Sequence, residues 1–394
     1  MIPEYVVEYV VRVLLGALAL VLAGCSAGSP APASPRAPAP APATAPSAPI
    51  AAQADPYDTP LWRELAEAAR KEGRLILASG PSPETRLRLP AAFKERFGVE
   101  IEYLGGRSSD LANRLQNERA AGLYTIDAII GGGDTIIRMY QEGWFDPIRP
   151  LLVAPEVTDP SVWRGNRLPF LDPEERFLLE LEGSVTGVVA VNTQVVREGE
   201  IRSLDDLLDP KWRGKISVED PTTAGSGQNR AVYLYVLKGE EYFKRLYVDQ
   251  QPAMSRDTRQ IGDWLARGTY PITLGLNVND IEPMEQDGLP VKLLGTLDGP
   301  GYVTGGFSVL GIFNNAPHPN AAKLFANWIT SPEGQRVHAE TENQAPLRKD
   351  VPHPWVREHQ VPKEGINYLR LYDYHYVTEQ KPAILRRFRE ILGQ

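Results

Sequence analysis

The chain has 394 residues, 42% of them hydrophobic and 23% charged, enough for two lobes with separate cores or one large domain. With 50 Asp and Glu against 42 Lys and Arg the formal net charge is -8, which argues against a nucleic-acid partner, since such a protein needs a basic face. A single cysteine excludes an intrachain disulfide and a thiolate metal site.

That cysteine is Cys25, and it directly follows an almost wholly apolar run, Val13 to Ala23. The run has the length of the apolar part of an export signal and is too short to span a bilayer. Small residues at Ala23 and Gly24 suit a peptidase cleft, and Leu22, Ala23, Gly24, Cys25 together resemble the lipobox of bacterial lipoproteins. The resemblance implies cleavage before Cys25, acylation of its thiol and attachment to the membrane, stable when two or more acyl chains are present. Glu4 and Glu8 outnumber the single Arg12 ahead of the apolar run, whereas such a region is expected to be basic. A translation start at Val10 or Val11 removes that conflict. Ser26 to Ala54 is rich in Ala and Pro, with eight prolines from Pro30 to Pro49. It cannot form a core and reads as an extended, disordered tether.

Folded sequence begins near Asp58. Thr59 and Pro60 open a helix that Gly73 ends, with Leu61, Leu65, Ala68 and Ala69 at helical spacing. Leu75 to Ala78 reads as a strand, Pro90 to Phe97 as a helix, and Val99, Ile101 and Tyr103 as a second strand, an order that implies a parallel sheet. Ligands in parallel sheets sit outside the carboxyl ends of the strands, so Ser79 and the string GGRSSDLANRL are candidate ligand positions. Arg107, Ser108 and Ser109 stand there at a helix start, where unpaired N–H groups attract anions. An ordinary capped helix with a solvated Arg107 explains the same residues. After a third strand, Asp127 to Ile130, Gly133 and Asp134 close a glycine run that permits either close approach of a ligand or a tight turn.

Trp144 to Pro173 reads as irregular structure, and Gly183 to Asn192 as a strand crossing to a second lobe. Ser203 caps a short helix, Leu204 to Leu208, and Ile216 to Val218 is a strand. It leads into a second candidate loop with Thr222, Thr223 and Ser226 before a helix beginning near Gln228. Met254 to Gly268 reads as a helix preceded by Arg256. Ile272 to Leu276 reads as a strand ending in Asn277 and Asn279, which suit either a polar ligand or a turn. Val291 to Leu294 and Phe307 to Phe313 are strands, with Gly306 between them. Asn320 to Thr330 and Ile384 to Leu392 are amphipathic helices.

Three strings, LDDLLDPKWRGKI (204–216), GTYPITLGLN (268–277) and PHPNAAKLFANWITSPEGQ (317–335), resemble the extracellular solute-binding proteins of ABC importers. The resemblance covers Trp62 to about Pro346 and points to the group containing ferric-ion, sugar-phosphate, phosphonate and thiamine binders. It implies an α/β fold, a type II two-lobed periplasmic-binding-protein clamp with mixed sheets flanked by helices. The expected layout is a signal peptide over 1–24, a tether over 25–57, one lobe from 58–188 plus 300–345 and a second from 189–299 plus 346–394. The implied partners are a small solute, an ABC permease and the membrane through Cys25, with the protein monomeric, without cofactor and without catalytic residues. No GxSxG, HExxH or CxxC string occurs.

The ferric branch places adjacent tyrosines where this chain has Asn277 to Asp280, so an organic phosphate, phosphonate or carboxylate is the expected ligand, with Arg107 or Arg256 as its cation. Ferric-ion uptake is the alternative, and a tethered sensory or adhesion module without transport is another. Tyr372, Tyr374 and Tyr376 alternate like one packed face of an extended segment rather than metal ligands.

Overall fold

The computed structural model describes residues 55–393. The expected signal peptide, Cys25 and the expected tether up to Ala54 lie outside the described residues. Asp55 to Gln394 forms one compact unit.

The first lobe is built on a sheet of order β2-β1-β3-β13-β4, with β5 (Leu179–Glu180) also pairing with β13. Strands β1 (Arg74–Ser79), β2 (Glu100–Gly105) and β3 (Ala128–Gly131) are parallel, whereas β13 (Val309–Phe313) returns antiparallel and pairs with β4 (Phe145–Asp146). Helix α1 (Pro60–Glu72) starts as expected: Thr59 accepts a hydrogen bond from the Trp62 N–H and Gly73 ends it at φ 80°. Its buried Trp62 stacks on Phe97, and Phe93 meets Phe325 and Trp328. Tyr57 joins the same core and shares a 2.7 Å hydrogen bond with the Ser331 hydroxyl. The body therefore begins before the predicted boundary at 58, because a buried aromatic holds the entering chain.

The second lobe has the order β11-β7-β10-β8-β9. Strands β8 (Ile216–Glu219), β9 (Ala253–Ser255) and β10 (Ile272–Leu274) are parallel, β7 (Ala190–Asn192) runs against them, and the edge strand β11 (Val291–Leu293) pairs antiparallel with β7. Between the lobes, β6 (Ser184–Thr186) and β12 (Tyr302–Thr304) cross as an antiparallel pair, and β14 (Leu369–Arg370) adds a third strand to β12. The single predicted crossing strand is thus two, β6 and β7, separated by a turn at Gly187. A Cβ on Gly187 would lie 2.4 Å from the Leu294 carbonyl oxygen, so only glycine fits there.

Several element expectations are corrected. The helix predicted from Pro90 starts at Pro83 as α2 (Pro83–Phe97), because Ser82 supplies the cap. The helix predicted over Met254 to Gly268 is strand β9 followed by a shorter helix (Thr258–Ala266), since Asp257 caps the Arg259 and Gln260 amides and Ala253 to Ser255 pairs with β8. Asn277 and Asp280 do not form a bare turn. They make a capping box that starts a helix (Val278–Gln286) despite Pro283 inside it. Tyr372 to Tyr376 is a turn running into a helix, with Tyr372 and Tyr376 buried.

The tail divides its packing. Leu347 hydrogen-bonds to Leu181 and Arg348 bridges to Trp163 beside the first core. From Leu371 the chain joins the second core, where Phe388 of the last helix (Lys381–Leu392) stacks on Phe243 with ring centroids 4.1 Å apart. Phe388→Ala should destabilise the protein by about 3–5 kcal/mol, the usual range for emptying a buried aromatic site. Urea unfolding followed by tryptophan fluorescence measures it, and a loss below about 1 kcal/mol would contradict this packing.

A candidate solute-binding cleft

In the first lobe the carboxyl ends of β1, β2 and β3 converge. The Gly106 N–H donates to the Ser79 carbonyl at 2.9 Å, and the Ser108 hydroxyl accepts from the Gly132 N–H at 3.0 Å. A Cβ on Gly131 would sit 3.0 Å from that hydroxyl and 2.9 Å from Ile136 Cδ1, so the glycines are needed for loop contact. Helix α3 (Ser108–Ala120) begins with exposed Arg107 at its cap position, and Ser109 follows in its first turn. Helix α4 (Gly133–Gln141) begins beside it with Asp134 in its first turn. Neither helix has a side-chain cap. Gly306, at φ 64°, lies next to Gly132. Ser79, Arg107, Ser108, Gly133, Asp134 and Gly306 are therefore brought together.

The second-lobe residues form two knots. The Asp220 carboxylate accepts from the Thr222 N–H and hydroxyl, from the Thr223 hydroxyl and from Arg256 Nε. Burial alone would raise this acid, but the Thr222 and Arg256 hydrogen bonds hold it below the ordinary range. Thr222, Thr223 and Arg256 are thus engaged with Asp220. The second knot centres on Arg230, a residue sequence reasoning missed. Its side chain is fully buried; Nη1 donates to Glu219 Oε2 at 3.2 Å and Nη2 donates to the Asn277 side-chain oxygen, while Nε has no partner. Ser226 donates to the same Glu219 oxygen at 2.6 Å. Arg230 lies on α5 (Ser226–Lys238), whose start at Gly225 also lacks a side-chain cap. Its place directly after the polar stretch Ser226 to Asn229 conceals its burial in the sequence.

The lobes touch on two sides. Asn279 donates to the Glu342 carbonyl at 3.1 Å and Asn343 donates to Glu282 at 2.6 Å. On the other side Lys381 reaches Asp134 and Asn229. Behind Glu342 lies a buried acid and histidine cluster: Glu182 Oε2 is 3.0 Å from His338 Nδ1, and Thr85 donates to the Glu342 carboxylate. Burial pushes Glu182 up to about 7 against the opposing pull of His338. Burial also raises Glu342. Burial would lower His338, but the Glu182 carboxylate raises it. Among the described residues no three His, Cys, Asp or Glu side chains are arranged to hold a metal ion. Burial raises Tyr372 and Tyr376 above the ordinary phenol range.

Residues 89–363 match the family described as bacterial extracellular solute-binding protein. The chain belongs to that family, the solute-binding proteins of ABC importers, and has the type II periplasmic-binding-protein fold. An uncharacterized protein of Haemophilus influenzae is 26% identical over 336 residues, 82% of this chain and 91% of that protein. Iron uptake protein A2 of Synechocystis is 25% identical over 286 residues, 66% of this chain and 75% of that protein. Iron-bound HitA from Pseudomonas aeruginosa superposes with a TM-score of 0.64 at 20% identity, covering 81% of this chain and 99% of HitA. AfuA from Actinobacillus pleuropneumoniae, with fructose-6-phosphate bound, gives 0.61 at 18% identity, covering 82% of this chain and 99% of AfuA. No described helix is long and apolar enough to cross a membrane.

The buried cluster makes stability depend on pH. Glu182, Glu342 and His338 all bind protons more tightly folded than unfolded, so their contribution is complete at low pH and is lost as pH rises through their folded values. For Glu182 that loss sets in near its ordinary value of 4.5, is complete by about 7, and amounts to about 3 kcal/mol. The thermal midpoint should therefore fall between pH 5 and pH 8, and Glu182→Gln should flatten the fall. A midpoint that rises over this window in the unsubstituted protein would contradict the assignment.

Proposed function

We propose that the chain captures a small anionic solute, an organic phosphate, phosphonate or carboxylate, between its two lobes and presents it to an ABC permease. One observation carries the reading: α3 and α4 of the first lobe and α5 of the second begin at strand ends without side-chain caps. Each offers free N–H groups and the positive end of a helix dipole. Exposed Arg107 adds a full charge able to hold an anion bidentately, whereas Arg230, Arg256 and Lys381 are already paired with carboxylates. A ligand bound at micromolar affinity supplies about 8 kcal/mol, enough to hold two lobes closed if it contacts both. Acylated Cys25 and the Pro-rich tether would keep the body at the membrane beside the permease.

Ferric ion is the second reading, favoured by the iron named in two of the relatives above. Against it stand Asn277 to Asp280, which contain no tyrosine, and the raised phenols of Tyr372 and Tyr376.

A thermal-shift screen of phosphate esters, phosphonates, carboxylates and ferric citrate decides between these. One organic anion class should stabilise the protein by about 2.7 kcal/mol at 100 times its Kd, and Arg107→Ala should weaken that ligand by roughly tenfold or more. Stabilisation by iron with several iron-free carriers, and by no organic anion, would overturn the proposal. Separately, Cys25→Ser should move the exported protein from the membrane fraction to the soluble one.

A further inference from the structure

The last helix starts at Lys381, whose side chain is 4% exposed. Its ammonium lies 2.6 Å from Asp134 Oδ2 and 2.8 Å from Asn229 Oδ1. Asp134 stands in the first turn of α4 in the first lobe, and buried Asn229 in the first turn of α5 in the second. One buried charge thus ties together two of the helix starts that face the cleft.

The segment leading to Lys381 touches every part of the clamp. Leu369 and Arg370 pair with β12 at the crossing, and Arg370 forms an ion pair with Glu180. Tyr372 fills the space a Cβ on Gly133 would need, approaching it to 2.7 Å, and accepts a hydrogen bond from Thr304 at 3.0 Å. Tyr374 meets Tyr140 of the first lobe with ring centroids 6.0 Å apart. Beyond Lys381, Phe388 is locked against Phe243, and Arg387 pairs with Glu240 at 2.7 Å. Because the helix is anchored in the second core, rotation about β6 and β12 cannot carry Lys381 along with Asp134. Opening must break that pair, and a buried charge parted from its partner is strongly unfavourable. Asp134 Oδ1 already lacks a partner, so no second protein contact stands ready to replace the lost one.

We propose that Lys381 is a positioning residue, an interlobe catch that holds the starts of α4 and α5 in register and biases the ligand-free clamp towards closure. A clamp held near its closed form gives up less affinity to unproductive open states. The catch acts without ligand, so its test is independent of which solute is bound.

The measurement is the distance between spin labels on Glu95→Cys of α2 and Arg259→Cys of the second lobe, both exposed positions, in the ligand-free full chain with Cys25→Ser. With Lys381 present a single narrow distribution is expected. Lys381→Met and Asp134→Asn should each lengthen the mean by about 2 Å or more or broaden it, the double variant should go no further than either single one, and Lys381→Arg should largely restore the starting distance. Cooperative thermal unfolding verifies that each variant is folded, and Asp134→Asn carries the test alone if Lys381→Met is not. An unchanged distribution in a folded variant, or additive effects in the double variant, would overturn the proposal.

Discussion

The structure depends on how the chain crosses between its lobes. Two antiparallel strands, β6 and β12, make the passage, and their register sets Tyr302 opposite Thr186 and Thr304 opposite Ser184. Glycines flanking the Thr186–Tyr302 end make the pairing feasible. A Cβ on Gly187 would strike the Leu294 carbonyl, and Gly301, at φ 87°, would place one 2.5 Å from Thr296 Cγ2. Such a crossing stiffens the connection laterally, because the ladder resists shear, and leaves bending as the soft motion. Each lobe keeps its own core, so the interior does not oppose relative movement.

From that crossing follows the character of the cleft. Parallel strands in both lobes end towards loops that begin helices, and the helices expose amide groups there. The carboxylates in the same space are mostly held by cations: Asp134 by Lys381, Asp220 by Arg256 and Glu219 by Arg230. Local charge is therefore close to balanced, and oriented backbone dipoles acquire more weight than net charge. Glu182, paired with buried His338, stands two residues before β6, so this titrating pair lies beside the crossing.

Much of the architecture was legible because its signals are local. Thr59 with Pro60, the alternation around Ile101, and the amphipathic run ending at Trp328 each name an element through short-range chemistry, and each element is present. Where reading failed, a neighbour far along the chain had intervened. Met254 and Ser255 look helical beside the helix that follows them, but pairing with β8 makes them part of a strand. Tyr57 looks like tether until Ser331 and Trp62 surround it.

The candidate site divides in the same way. By itself the sequence determined the strand-to-helix loops and the residue types in them, since glycines and short polar side chains at strand ends follow from backbone geometry. Only the tertiary structure decided which cations are engaged, because ion pairing joins residues as distant as Asp134 and Lys381, or Asp220 and Arg256, and no local pattern records a contact made across the fold. Arg230 shows the point most directly: at the end of the polar stretch Ser226 to Asn229 it reads as one more solvated residue, and only the meeting of the β8 and β10 loops makes it their common centre.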